Sequence, residues 1–186
     1  MNLTKDEVEE IAKSIDVDYA SLMTFISVES GGVGFAKDTK KIVIQFEPSW
    51  FKRYTKERDQ HDKKLWEVVD ANKVEGQANE WKAFNAAYAI NPKSALLSTS
   101  IGLMQVMGFN YSACGYTSVN AMWDDFKTGE YAQVNGAASF IKSNPRLHKA
   151  LKSKDWAKVA YYYNGSNYRI NNYDVKLKQA YIKYTN

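Results

Sequence analysis

Apolar positions recur at helical spacing along most of this chain. Thr4 precedes an acidic first turn with Asp6 and Glu7, and the segment to about Ile15 predicts a short amphipathic helix capped by that threonine. Asp18 caps the next helix, which runs to Glu29 and stops at Gly31-Gly32. Lys41 to Phe46 alternates instead. Ile42, Ile44 and Phe46 point one way and Val43, Gln45 and Glu47 the other, so a strand is predicted with Gln45 and Glu47 on its less apolar face. Pro48 ends pairing and can open a short helix through Trp50, Phe51 and Tyr54. Helical spacing returns over 62–70, 77–90, 93–100, 117–128, 130–143, 146–152, 155–163 and 173–184. Many helices around one short strand region describe a mainly α (α+β) domain, with a multi-helix lobe and a small β-strand or hairpin region after Glu29.

Length and composition fit that picture. With 186 residues, 45% hydrophobic and 14% aromatic, the chain suits one domain spanning 1–186 with a substantial core. No stretch approaches the ~18 uninterrupted apolar residues of a membrane span. The polar start Met1-Asn2-Leu3-Thr4-Lys5-Asp6 lacks the apolar segment of a secretory signal, so any export uses a route not written in the chain. Lone Cys114 rules out an internal disulfide, and with only His61 and His148 beside it no metal site and no cofactor are expected. Both histidines lie in charged surroundings that predict surface positions.

Charge is uneven. Residues 1–128 carry 15 Lys+Arg against 18 Asp+Glu, and residues 129–186 carry 10 against 3. The last third therefore forms a basic face, suited to a polyanion such as nucleic acid, anionic lipid or an anionic cell-wall polymer, or simply to water.

The chemistry concentrates in three blocks. In Val28-Glu29-Ser30-Gly31-Gly32-Val33-Gly34 an acid extends the apolar stripe of Leu22, Phe25 and Ile26 just where the helix ends. Lost solvation and the negative end of the helix dipole both raise its pKa, the condition for a general acid. A second carboxylate at the end of another element completes the minimum for glycoside hydrolysis. Glu47 at the strand exit fits, with Asp38 in the turn Ala36-Lys37-Asp38-Thr39 in reserve. That second group has to stay ionised. In the block from Ser98 to Gly108, Gln105 sits among core residues and offers donors and an acceptor to sugar hydroxyl and acetamido groups, or to a buried protein partner. Gly102 would let backbone or ligand approach closely. In Tyr161-Tyr162-Tyr163-Asn164-Gly165 a helix end presents a phenol and an amide. Trp156 and Tyr161 read as structural aromatics, and Tyr168 and Tyr173 as core residues or sugar-stacking rings.

In order along the chain, these blocks resemble the phage and prophage N-acetylmuramidase endolysins of the lysozyme-like superfamily. The matching elements are Val28 to Phe35, Ile44-Gln45-Phe46-Glu47, Ser98 to Asn110, Asp155-Trp156-Ala157 and Tyr163-Asn164-Gly165, and the likeness extends from about residue 18 to the end. The resemblance implies a lysozyme-like fold and cleavage of the β-1,4 bond between N-acetylmuramic acid and N-acetylglucosamine in bacterial peptidoglycan. It places Glu29 at the catalytic acid, Glu47 at the Phe-Glu pair that closes the strand, and Gly102, Gln105, Tyr163 and Asn164 in the cleft. Pro48-Ser49 departs from it, because the family usually has a histidine two residues after that glutamate. It further implies a monomer without a separate wall-binding module and without a nucleic-acid partner. Such a protein is made in the host cytoplasm and acts in the periplasm once the membrane is permeabilised, with the basic third against an anionic envelope. Two alternatives stay open: a lytic transglycosylase leaving 1,6-anhydro-muramyl ends, and a non-catalytic binder of peptidoglycan or nucleic acid.

Overall fold

A computed structural model describes residues 2–30, 32–55, 63–71 and 76–185. Helix α1 (Lys5–Ser14) opens on a reciprocal cap in which Thr4 Oγ1 accepts from the Glu7 amide at 3.3 Å and Glu7 Oε2 accepts from the Thr4 amide at 2.8 Å. Helix α2 (Tyr19–Glu29) starts where the Asp18 carboxylate accepts from the Ser21 amide at 2.7 Å. It is the central helix, with every residue from Ala20 to Ile26 buried. Asn-Pro, a pair not singled out in the sequence, opens two more helices by the same chemistry. Asn91 and Asn144 accept from the amides of Ser94 and Leu147 at 2.9 and 3.2 Å, ahead of Pro92 and Pro145 at the first helical position.

The remaining helices follow the expected spans closely: α3 (Pro48–Tyr54), α4 (Lys63–Asp70), α5 (Gln77–Ile90), α6 (Pro92–Leu97), α7 (Val119–Phe126), α8 (Glu130–Ser143), α9 (Pro145–Lys152), α10 (Trp156–Asn164) and α11 (Tyr173–Thr185). One span needs correction. The helix expected over 93–100 ends at Leu97, and the chain turns into a strand. Three antiparallel strands, β1 (Ile44–Phe46), β2 (Thr99–Ile101) and β3 (Val106–Met107), lie in the order β1-β2-β3. Their register pairs Ile44 with Ile101, Gln45 with Ser100 and Phe46 with Thr99, then Ser100 with Met107. The β region is therefore shared between two distant segments. Local spacing at 98–101 could not reveal this, because Ser98, Thr99, Ser100 and Ile101 are all buried and their period is erased.

One apolar cluster runs through α1, α2, the sheet, α8, α10 and α11, with Phe25, Phe46, Phe51 and Phe126 among its largest fully buried side chains. Two polar side chains of α8 interrupt it. Glu130 Oε1 accepts from the Gly34 amide at 2.8 Å and Oε2 from the Asn2 amide. Fully buried Gln133 accepts from the Leu103 amide at 2.6 Å and donates to the Phe126 carbonyl at 2.9 Å. The loop after α2 and the turn between β2 and β3 are both docked on α8 by these two side chains.

Candidate active site

Glu29 is the last residue of α2. Ser30 leaves the helical conformation while its amide still donates to the Ile26 carbonyl at 2.9 Å. The Glu29 side chain is half-buried, and Asn164 Nδ2 donates to its Oε1 at 2.9 Å. Asn164 ends α10, which Gly165 stops with φ +81°. Burial raises the pKa of Glu29; the Asn164 hydrogen bond and the Lys176 ammonium of α11 pull the other way, and the net shift is upward. Tyr163 meets Phe25 edge-on at 4.7 Å and Phe140 at 6.2 Å. Burial and the nearby Glu29 charge push its phenol far above the usual range, so it stays protonated. Glu29, Tyr163 and Asn164 thus come together as the sequence suggested, and Lys176 joins them from a helix whose spacing gave no hint of it.

A second group forms on the sheet. Gln45 Nε2 donates to Glu47 Oε1 at 3.1 Å, and Ser100 Oγ donates to Gln105 Oε1 at 2.9 Å. Gln105 Nε2 returns to the Gly102 carbonyl at 2.7 Å. Gln105 has φ +49°, an uncommon left-handed conformation for this residue, so its amide folds back over the turn and braces it. The amide expected to face sugars is largely engaged by the protein, with one N–H and one lone pair left. Gly102 (φ +71°) departs further from expectation. A Cβ there would lie 2.5 Å from Gln133 Cδ, so the close approach it permits is by Gln133. Gly34 meets the same amide, 2.4 Å from its would-be Cβ.

Glu47, expected to ionise readily, is half-buried; burial and the Glu80 charge raise its pKa against the Gln45 hydrogen bond. Glu80 itself was missed. It is buried in the first turns of α5, where one oxygen accepts from the Phe46 amide at 2.8 Å and the other has no hydrogen-bond partner among the described residues. Asp38 is exposed and caps its own turn through the Thr39 amide at 2.8 Å. It belongs to neither group.

Among the described residues no hydrogen bond joins the two groups directly. Backbone bonds from Val43 N to Gly34 O at 2.9 Å and from Gly102 N to Val43 O at 2.7 Å, with the α8 contacts, fix their spacing. Beside Glu47, Trp50 packs on Phe109 at 4.7 Å under the Arg53 guanidinium, a half-exposed aromatic edge that read only as helix filling in the sequence. Other expectations shift. Tyr161, read as structural, is 49% exposed, whereas Tyr168 keeps to the core reading and is buried. His148 is half-buried with Nε2 against the Ile15 carbonyl, so it is not a free surface group; His61 lies outside the described residues. Buried Cys114 has its thiol pushed up to about 12.

The chain as a whole has counterparts in known proteins. Residues 18–185 match the N-acetylmuramidase family. The crystal structure of the endolysin of Burkholderia phage AP3 superposes with a TM-score of 0.88 at 33% identity, over 98% of this chain and 71% of that one. No curated protein is similar enough to match. The family match takes in α2 and α10 with the acid and amide they bring together, and the endolysin shares the whole helical frame around them, so the chain belongs to the N-acetylmuramidase family of glycoside hydrolases.

Proposed function

We propose that the protein cleaves the β-1,4 bond between N-acetylmuramic acid and N-acetylglucosamine in bacterial peptidoglycan, with Glu29 as the general acid. The carrying observation is the half-buried Glu29 carboxyl, raised in pKa and gripped on one oxygen by Asn164. Because Oε1 accepts from Asn164, the proton belongs on Oε2, the oxygen left to face the glycosidic bond. When that proton moves to the leaving oxygen, the new carboxylate is stabilised by the Asn164 amide and the Lys176 ammonium. These are the same two groups that pull its pKa down.

Glu47 is the proposed second carboxylate, supporting water or the developing oxocarbenium charge; exposed Asp38 is poorly placed for that role. Gln105, Tyr163 and Asn164 line the sugar path, with Gly102 serving it through the turn that carries Gln105. Trp50 offers its half-exposed edge to a sugar. Residues 1–186 act as one catalytic unit and as a monomer. The unit reaches the wall in the periplasm after membrane permeabilisation, and its basic last third rests on the anionic envelope. Among the described residues, no helix is long and apolar enough to cross a membrane.

One observation favours a second reading, lytic transglycosylation. Glu47 is itself raised in pKa and tied to Gln45, which leaves Glu29 free to act as acid and then base alone. Product ends separate the two: a reducing muramic acid for hydrolysis, a 1,6-anhydro ring for transglycosylation. Glu29→Gln is expected to cut product release by ~10²–10⁴-fold while the protein stays folded. Release from purified peptidoglycan at a near wild-type rate would overturn the assignment.

A further inference from the structure

The face of α11 that carries Lys176, Gln179, Ala180, Lys183 and Tyr184 stands off α2 at Ser27 and Val28, leaving a cavity of about 330 Å³. Ser27 and Val28 immediately precede Glu29, and Lys176 both lines the cavity and acts on the Glu29 charge, so the cavity adjoins the acid. Among the described residues no acidic side chain lines it. Lys176 is steadied against the Tyr173 ring at 5.3 Å. Three lysines of the basic third are engaged, Lys152 with Asp16, Lys154 with Asp18 at 2.9 Å and Lys158 with Asp155 at 2.7 Å, and these stand away from the cavity lining. Among the described residues neither Lys176 nor Lys183 is in such a pair.

Resting on the reading of Glu29 as the acid, we propose that this cavity is a subsite for the carboxylates of the short peptide carried by the muramyl sugar. The muramyl lactyl ether extends into a peptide with free carboxylates beside the very sugar whose bond Glu29 protonates. Two ammoniums, an amide and a phenol are the matching donors. Lys176 and Lys183 are two helical turns apart, ~10.5 Å at 1.5 Å per residue. That is the reach of about three extended peptide residues, so one stem can meet both. Occupancy also neutralises Lys176, one of the two groups that favour ionised Glu29. Peptide-bearing glycan would then help Glu29 keep its proton until transfer.

The test compares the wild type and Lys183→Met on peptide-bearing peptidoglycan and on glycan strands stripped of peptide by an amidase. The wild type is expected to prefer the peptide-bearing glycan by about tenfold in kcat/KM, and Lys183→Met to bring that ratio close to one, chiefly through KM. A wild type indifferent to the peptide, or a variant that keeps the wild-type ratio, overturns the proposal. Calorimetry separates this outcome from failure of the hydrolase reading. A free tripeptide of alanine, γ-linked glutamate and diaminopimelate should bind the wild type, and its amidated form should not. Equal binding of both, or binding of inorganic polyphosphate in place of the acidic tripeptide, rejects a carboxylate subsite. If neither glycan is cut but the acidic tripeptide alone binds, the subsite stands and only the cleavage reading falls.

Discussion

Burial strengthens Glu29's hold on its proton, and a single amide is the larger of the two groups that oppose it. Asn164 favours the ionised carboxylate, so Asn164→Leu should strengthen Glu29's grip on its proton and move the alkaline limb of the activity profile to higher pH. Turnover should fall at the same time, because the carboxylate formed after transfer loses its partner; pH–rate profiles of variant and wild type test both effects. Linkage adds a signed stability effect. Glu29 is raised in the fold, so its protonated form contributes stability that is fully present below the unfolded value of ~4.3 and is lost as pH rises through the folded value. Glu29→Gln, neutral throughout, should abolish that decline, and Tm measured on either side of the window should diverge from wild type on the alkaline side only. The half-buried place of Glu29 at a helix end was legible, since an apolar stripe ending in Glu beside glycines is a local pattern. Lys176 and Glu80 were not, because their relation to Glu29 and Glu47 exists only once α11 and α5 have docked.

At the scale of elements, α8 decides the geometry. Gln133 fills the space above both Gly34 and Gly102, and its amide bonds Leu103 and Phe126. Gln133→Ala should strand two buried backbone groups at about 1–3 kcal/mol each, and urea unfolding should register a midpoint lowered accordingly. Gly102→Ala combines a φ of +71° with direct overlap on Gln133. The backbone alone costs about 1–2 kcal/mol, and a midpoint equal to wild type would refute the close packing described. Helix limits were readable because caps such as Thr4 and Asp18 act locally. The strand at Thr99–Ile101 was not, since its reason for being extended is β1, far away in sequence. Gln133 and Glu130 likewise sit on a helix whose polar positions pass for solvent-facing until the two loops they bind are in place.

Across the whole molecule, the acidic first part and the basic last third partly answer each other. Lys152 and Lys154 hold Asp16 and Asp18 between α1 and α2, so some of the positive charge of residues 129–186 is used inside the fold. The remainder should still draw the protein to an anionic wall. Co-sedimentation with peptidoglycan is expected to weaken as the screening length shrinks from about 30 Å at 0.01 M salt to about 8 Å at 0.15 M. Cleavage of a short soluble glycan should be far less salt-sensitive; equal sensitivity would point to the site itself and not to the surface.

The packing of α11 along α2 has a consequence for synthesis. Lys176 and the covering apolar residues Leu177 and Ala180 are translated after every other element described, yet they wall the helix that ends in Glu29. A ribosome-bound nascent chain therefore lacks the full setting of Glu29 until α11 has emerged, so the carboxyl on α2 waits for an element made about 140 residues later.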